Sequence, residues 1–301
     1  MIDIHRDGYA KPSGGLHLPA GAARVKPAAD FGKDISGCAI SGILCTDGSR
    51  ISGREITTSI ANMRERGNGL GGGFAAYGIY PEHADRFALH VMYEDHDALH
   101  HGEEYLRGFF DISYQEEIPT RQVAAIRQRP LFRRYFALPT DEIRRRFYDL
   151  DDSDLVVMAV MHVNTQLRGA FVFSSGRNSG VFKGVGYPED IAEFFRISEY
   201  EGYLWTAHSR FPTNTSGWWG GAHPFGILDW TVVHNGEISS YGTNRRYLSN
   251  FGYACSLHTD TCSSASTSCR WRSRAWPSPR RSGRRSSGWT RARPPWPGRS
   301  G

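Results

Sequence analysis

Two short polar runs organise the chain: His-Ser-Arg-Phe-Pro-Thr-Asn-Thr at residues 208–215 and Val-His-Asn-Gly-Glu-Ile at residues 233–238. Each run follows an apolar stretch that predicts a β-strand, residues 203–205 before the first run and residues 227–233 before the second. In the second stretch, apolar residues recur with the period of two that is typical of a half-buried strand. The pattern therefore predicts two clusters of polar groups at two strand ends.

The side chains in these runs suit recognition of a small anion that also carries an amide. Arg210 offers a planar guanidinium, which binds a carboxylate through two parallel hydrogen bonds. The amide of Asn235 and the backbone N–H of Gly236 can stabilise a negatively charged oxygen. The alternative interpretation is that Asn-Gly forms only a hairpin turn, which such pairs favour. Both interpretations stay open on these residues alone.

Four groups of residues, in order along the chain, resemble one known family. They are Cys38-Ala39-Ile40-Ser41-Gly42, then Val181-Phe182-Lys183-Gly184 with the proline-led helix that follows, then Ala207 to Ile238 with Trp218 and Ala222-His223-Pro224 inside it, and Leu257-His258-Thr259-Asp260-Thr261. Together they resemble the glutaminase domain of glutamate synthases, which belongs to the class II glutamine amidotransferases, a group of N-terminal-nucleophile hydrolases. The resemblance covers residues 38 to 261. It implies an α+β fold, a four-layer αββα sandwich that is incomplete at its C-terminus.

The resemblance also implies roles for six residues. In the family a leader is removed, so that the cysteine becomes residue one and its freed α-amino group serves as general base. An α-amine with a pKa of about 7.7 to 8.0 can exchange a proton with a thiol of pKa about 8.5 near neutral pH. The implied roles are Cys38 as nucleophile, Asn235 and Gly236 as oxyanion donors, Arg210 and Asp260 as partners of the glutamine α-carboxylate and α-ammonium, and His234 as a further substrate-binding residue. Without the resemblance, Cys38 would be interpreted as a buried structural thiol.

Composition divides the chain into three parts. Residues 1–37 are rich in Gly, Ala, Pro and Lys and are interpreted as a leader or propeptide. Residues 38–261 are the predicted amidotransferase domain. Residues 262–301 contain ten Arg, ten Ser, five Pro and four Trp but no Asp, Glu, Leu, Ile or Val, so they cannot supply a core-forming helix or strand. We interpret this tail as an out-of-frame translation of a GC-rich gene, with a genuine basic tail as the alternative.

The overall composition favours a cytoplasmic protein. Hydrophobic residues make up 39% of the chain, enough for a buried core, and no apolar run reaches the length of about 20 residues that a membrane helix needs. The net charge of +5 comes from the tail, because the remainder carries −5; nucleic-acid binding is therefore not expected outside it. Five cysteines without a C-x-x-C pair indicate neither a disulfide framework nor a zinc ribbon.

Hydrophobic periodicity predicts further elements along the chain. Expected strands follow Cys38 and cover Phe87–Tyr93, Asp154–Val163 and Ala170–Phe173; expected helices cover Arg54–Arg66, the stretch through Leu99 and Leu106, and residues 188–197. Residues 115–150 hold many arginines and three prolines, which favours an insertion with a capped helix from Thr140.

Two other patterns point to ligands only weakly. The glycine-rich loop at residues 67–73 follows a predicted helix, whereas a dinucleotide-binding loop follows a strand. By resemblance this loop lies near the glutamine pocket. His96 and His100 have the spacing of two ligands on one helix face, but no third ligand is marked, so no metal site is predicted.

The resemblance also implies the protein's partners. Glutamine is the expected substrate, and ammonia passes to a separate synthase protein of glutamate-synthase type. No stretch of this chain resembles a flavin or iron–sulfur domain, so these cofactors are expected only in partner subunits. The alternatives are a non-catalytic truncated fragment and a nucleic-acid-binding protein that acts through its basic tail.

Overall fold

The computed structural model describes residues 37–126, 129–211, 217–236, 238–250 and 253. In chain order, its strands are β1 (Ala39–Leu44), β2 (Ile51–Ser52), β3 (Gly72–Tyr77), β4 (Phe87–Tyr93), β5 (Phe110–Glu117), β6 (Leu131–Pro139), β7 (Ala170–Ser174), β8 (Ser179–Gly184), β9 (Glu201–Gly202), β10 (Leu204–Ser209), β11 (Phe225–Ile227) and β12 (Trp230–Val232). Its α-helices are α1 (Gly53–Ala61), α2 (His96–Phe109), α3 (Asp141–Arg146), α4 (Asp152–Gln166), α5 (Pro188–Phe194) and α6 (Tyr241–Ser249).

Two four-stranded antiparallel sheets form the framework. The first has the order β1-β10-β3-β8 and the second has the order β5-β6-β4-β7. The pairs β2-β9 and β11-β12 form separate two-stranded sheets. In the first sheet β1 is an edge strand and pairs with β10, which comes much later in the chain. This pairing brings the residues before β1 next to those after β10.

Helices cover the outer face of each sheet. Helices α1 and α5 pack on the first sheet, where Ile56 and Ile191 are fully buried in the same cluster as Trp205. Helices α2 and α4 pack on the second sheet, with Leu106 and Leu155 in its core. Burying such side chains stabilises the fold by about 1.5 to 3 kcal/mol each. The helices are therefore anchored to the sheets mainly by apolar contact.

The inner faces of the two sheets meet. His90 of β4 donates from Nδ1 to the carbonyl of Val181 in β8 at 2.9 Å, and its ring lies 5.3 Å from the ring of Phe182. Arg134 of β6 lies in the same layer and is buried. With helices outside both sheets, the order of layers is helix, sheet, sheet, helix. The predicted αββα sandwich is confirmed.

Most predicted elements are confirmed. The strand after Cys38 is β1, the alternating run is β4, and the strand from Ala170 is β7. Helices α2 and α5 lie where predicted, and α1 is followed by a short 3-10 segment, Arg64–Arg66, before Gly67. Thr140 accepts a hydrogen bond from the Ile143 backbone N–H at 3.3 Å, so the predicted capped helix begins there as α3.

The prediction of a strand at Asp154–Val163 is wrong, because these residues lie within helix α4. Asp151 caps this helix by accepting from the Asp154 N–H at 2.8 Å. The helix is buried on nearly all sides between its sheet and α2, so its apolar residues form a continuous run. Such a run cannot be distinguished from a buried strand by periodicity. Although α4 is apolar, no helix in the described part of the chain has the length and hydropathy to cross a membrane.

Two further predictions need correction. Residues 115–150 are not an insertion, because β6 is an inner strand of the second sheet. Residues 227–233 do not form one strand: β11 ends at Ile227, and Leu228, with a φ of 49°, and Asp229 turn the chain into β12. The apolar alternation there spans a tight turn rather than a single extended segment.

Candidate active site

The pairing of β1 with β10 brings Cys38 next to the first polar run. Ala39 pairs with Ser209, so Cys38 precedes β1 directly opposite the point where Arg210 and Phe211 leave β10. The Phe211 backbone N–H donates to the Cys38 Sγ at 3.3 Å. Cys38 is half-buried and its thiol is free, as is that of Cys45 after β1. The sulfur therefore lies at the end of the sheet and is held by a backbone donor.

The second polar run reaches the same cysteine. The side-chain amide of Asn235 donates from Nδ2 to the Cys38 carbonyl at 2.7 Å, and Arg66 donates to that carbonyl from Nε at 3.3 Å. Gly236 has a φ of 147°, a backbone conformation that residues with a Cβ rarely adopt. The bend at Asn235 and Gly236 thus places the Asn235 amide beside Cys38.

The glycine-rich loop supports Arg210. The Arg210 backbone N–H donates to the carbonyl of Gly71 at 2.8 Å. A Cβ on Gly71 would lie 3.2 Å from the Arg210 Cβ, and a Cβ on Gly73 would lie 2.3 Å from the carbonyl oxygen of His223. Gly72 and Gly73 already belong to β3. The glycines allow close packing against the site, and the loop leads into a strand instead of the helix that a dinucleotide-binding loop requires.

Buried ionisable side chains lie directly beneath this end of the sheet. His208 is fully buried, and its Nε2 lies 2.9 Å from the His234 carbonyl oxygen. Its ring stacks on that of His223 with the centroids 4.3 Å apart. Lys183 is also buried and donates from Nζ to the carbonyl of Gly220 at 2.9 Å.

Both histidines are held neutral at physiological pH. Burial lowers the pKa of His208 to about 4, and the charges of Arg210 and His234 act in the same direction. Burial likewise lowers the pKa of His223 well below its ordinary value, helped by His208 and Lys183. The layer under the site therefore holds uncharged imidazoles beside a cationic side chain.

The sequence model of one family matches this region: class-II glutamine amidotransferases, at residues 108–262. The chain belongs to the class II glutamine amidotransferases. The matched residues contain strands β5, β6 and β7 of the second sheet, β10, both polar runs and Asp260, whereas β4 and Cys38 lie before them. The contact of Cys38 with Asn235 joins it to the matched part of this amidotransferase domain.

Three relatives differ in how much of them the chain covers. An uncharacterized protein of Archaeoglobus fulgidus is 58% identical over 232 residues, which is 76% of this chain and 61% of that protein. The glutamine amidotransferase-like protein GlxB of Rhizobium meliloti is 31% identical over 106 residues, 35% of this chain and 34% of that protein. A protein of Methanothermobacter thermautotrophicus, provisionally described as a glutamine amidotransferase, is 26% identical over 230 residues, 74% of this chain and 69% of that protein. The chain thus spans less than two thirds of the first two relatives.

The structure places most of the predicted site residues of this amidotransferase together. Cys38, Arg210, Asn235 and Gly236 lie at one end of the first sheet, and His234 contributes its carbonyl there. Asp260 lies outside the described residues, as do residues 1–36 and 262–301. The alternative that Asn-Gly only closes a hairpin is wrong, because α6 and not a paired strand follows β12 in the described chain.

Sequence reasoning missed the buried layer under the site. His208, His223 and Lys183 stand inside motifs that carried the family resemblance, yet no role was predicted for them. The available signal was their position: Lys183 and His208 lie on strands of the first sheet, and His223 lies two residues before β11. A histidine or lysine in such a strand is rarely buried without a specific partner.

Residues that could bind a metal do not cluster in the part of the chain that the structure describes. No group of three or more His, Cys, Asp or Glu side chains there has a ligand arrangement. His96 and His100 both lie on α2, where the ring of His100 stacks with that of His101 at 6.0 Å.

Proposed function

We propose that this protein is the glutamine-hydrolysing subunit of a glutamate-synthase-type amidotransferase. The observation that supports this most directly is the contact between the Asn235 amide and the Cys38 carbonyl at 2.7 Å, together with the Phe211 N–H on the Cys38 sulfur. These contacts bring a thiol, an amide donor and the strand end that carries Arg210 to one place. A glutamine amidotransferase needs the same three groups.

Cys38 is the nucleophile in this proposal. Removal of residues 1–37 frees its α-amino group, which takes the thiol proton, directly or through a water. The thiolate attacks the side-chain carbonyl carbon of glutamine, and the C–N bond breaks as ammonia leaves with a proton from the α-ammonium. Water then hydrolyses the glutamyl thioester, which releases glutamate and regenerates the thiol.

The oxyanion of each tetrahedral intermediate is held by the Asn235 Nδ2–H and the Gly236 N–H. Both residues lie on the bend after β12, and the Asn235 amide contacts Cys38. The amide of Asn235 now donates to the Cys38 carbonyl, so it is already oriented toward the reacting residue. Fixed donors of this kind stabilise developing charge without reorganising during the reaction.

Substrate recognition rests on charge complementarity. Arg210 binds the α-carboxylate of glutamine through its guanidinium, and Asp260 binds the α-ammonium. His234 lines the same pocket. The backbone N–H of Arg210 donates to the Gly71 carbonyl, which fixes the strand end that carries the guanidinium. A guanidinium and a carboxylate at opposite ends of a pocket select an α-amino acid over a simple amide.

The ammonia acceptor belongs to a separate protein. We propose a synthase of glutamate-synthase type as partner, with flavin and iron–sulfur cofactors in that partner and none in this chain, and a cytoplasmic location for both.

Residues 262–301 are an out-of-frame extension in this proposal. The out-of-frame origin of the tail is supported by the family match, which ends at residue 262, where the composition changes. Resequencing the DNA around codon 262 tests it.

A glutaminase assay tests the function. The purified chain should release glutamate and ammonia from glutamine, and Cys38→Ala should release neither. Cys45→Ala is the matched control, because Cys45 is equally half-buried and free but lies beyond the far end of β1. Activity in Cys38→Ala, or equal loss in both variants, would contradict the assignment. A folded chain without any activity would favour a non-catalytic fragment.

A further inference from the structure

His208 is the buried group that touches the candidate oxyanion site most directly. It lies on β10, two residues before Arg210, and its ring is fully buried. We propose that His208 is a positioning residue, which holds the His234–Gly236 segment against Cys38 through a hydrogen bond from its Nε2–H to the His234 carbonyl. The proposal rests on the proposed function of this site and adds to it a group that does not touch substrate.

The hydrogen bond defines the tautomer of His208. A carbonyl oxygen can only accept, so the proton of the neutral ring must be on Nε2, 2.9 Å from the His234 oxygen. The other ring nitrogen, Nδ1, is buried and has no hydrogen-bond partner among the described residues, as suits an unprotonated nitrogen. Burial also lowers the pKa of His208 to about 4, which keeps the ring neutral in the working pH range.

Packing prevents the ring from leaving this position. One face stacks on His223 at 4.3 Å between centroids, and His223 in turn packs edge-on against Phe225 at 4.9 Å. The Lys183 Nζ lies 4.1 Å from the centroid of Phe225 and is tied to the Gly220 carbonyl. The backbone of His208 pairs with Ile40 on one side and Gly73 on the other. The donor is therefore rigid with respect to the first sheet.

The geometry links this rigid donor to Cys38 in two steps. The His208 ring holds the carbonyl of His234, and the next residue, Asn235, donates to the carbonyl of Cys38. Residues 234–236 leave β12 and are half-buried or exposed, so burial alone does not fix their position. A displacement of about 1 Å in a catalytic group can reduce the rate about a hundredfold. His208 should consequently influence the chemical step and leave glutamine affinity largely unchanged.

Three variants of the full chain test this positioning role. His208→Leu removes the donor with little change in volume. His208→Gln retains an N–H donor close to the Nε2 position and cannot be protonated. Leu155→Ala, in helix α4 on the opposite outer layer, is the control for loss of stability without contact with the site.

His208→Leu should lower kcat for glutamine hydrolysis about 10-fold to 100-fold, with KM changed less than about threefold. His208→Gln should recover kcat to within about fivefold of the parent protein, because it restores the hydrogen bond. Leu155→Ala should retain the parent kcat per folded molecule. A merely structural role for His208 would make His208→Leu behave like Leu155→Ala and would give no selective rescue by glutamine.

Labelling of Cys38 separates this inference from the proposed function. A glutamine analogue with a diazoketone in place of the amide should alkylate Cys38 in the parent chain, detected by peptide mass. If the parent chain hydrolyses glutamine and is labelled but His208→Leu has a normal kcat, the positioning role is wrong and the proposed function stands. If the parent chain neither hydrolyses glutamine nor is labelled, the proposed function is wrong and the positioning role falls with it.

Discussion

Two fully buried histidines, His90 and His208, should make the folded protein sensitive to mild acid. Burial, with the nearby charge of Arg134, lowers the pKa of His90 to about 3, and burial lowers that of His208 to about 4. In the unfolded chain both rings titrate near their ordinary pKa of about 6.5. Between pH 6.5 and these lower values the unfolded chain therefore binds more protons than the folded chain, and the free energy of unfolding falls as the pH falls.

The magnitude follows from the difference in pKa. For a folded pKa well below 5, lowering the pH from 7 to 5 removes about 2 kcal/mol of stability for each histidine, or about 4 kcal/mol for the two. This result depends little on the exact folded value, because neither ring is protonated in the folded protein at pH 5. His223, whose pKa is also lowered by burial, adds a loss of the same sign. Domains are typically stable by only about 5 to 15 kcal/mol, so the loss is large.

Urea unfolding followed by far-UV circular dichroism at pH 7, 6 and 5 measures this effect. The unfolding midpoint should shift to lower urea as the pH falls, while the slope of free energy against urea stays constant. His208→Gln cannot be protonated, so its stability should fall by about 2 kcal/mol less over the same pH range. Equal stability of the parent protein at pH 7 and pH 5 would refute the reasoning, and so would an unchanged pH dependence in His208→Gln.

Four further predictions concern the site and the core. The active form should begin at Cys38, and intact-mass measurement should show loss of the leader; full activity with Met1 still attached would contradict the α-amine mechanism. Arg210→Lys should raise the KM for glutamine by an amount equivalent to about 1.5 to 3 kcal/mol, because a point charge cannot replace a bidentate guanidinium. Unchanged glutamine affinity, measured by calorimetry, would show that the α-carboxylate binds elsewhere. Asn235→Ala should instead lower kcat about a hundredfold to a thousandfold in steady-state assays, and a pure KM effect would argue against an oxyanion role. Arg134→Met should lower the free energy of unfolding in urea by about 3 to 5 kcal/mol, because the Glu116 carboxylate and the hydroxyls of Tyr80 and Tyr200 lose the donor that they share. A change under about 1 kcal/mol would show that water replaces the guanidinium.

The sequence correctly predicted helices and strands that have one buried apolar face and one exposed polar face. Strand β1, which follows Cys38, and helix α1, with Ile56 and Ile60 at helical spacing, follow simple periodic patterns. Helix α4 does not, because the run from Leu155 to Val163 is buried on nearly every side. Its N-cap at Asp151 and its length were the only local signs of a helix.

The many arginines near β6 also led to a wrong prediction. Arg133 and Arg134 stand in an arginine-rich stretch that resembles a solvated surface, yet Arg134 is buried against Glu116 and two tyrosines. Its partners come from three other segments of the chain, so nothing local could indicate the burial. The contact between Asn235 and Cys38 is equally non-local, and only the family resemblance suggested it before the structure was known.

The bonds that hold Cys38 give its thiol a second use, as a reporter of local opening. Its carbonyl accepts from Asn235 and Arg66, its sulfur accepts from Phe211, and the ladder with β10 begins one residue later. Alkylation of this sulfur should therefore be slow while the edge strand is paired and fast once it separates. The rate of alkylation at low urea, read by peptide mass and compared with Cys45, would measure how often the edge of the sheet opens without global unfolding. That frequency sets how securely any terminus created at Cys38 is held.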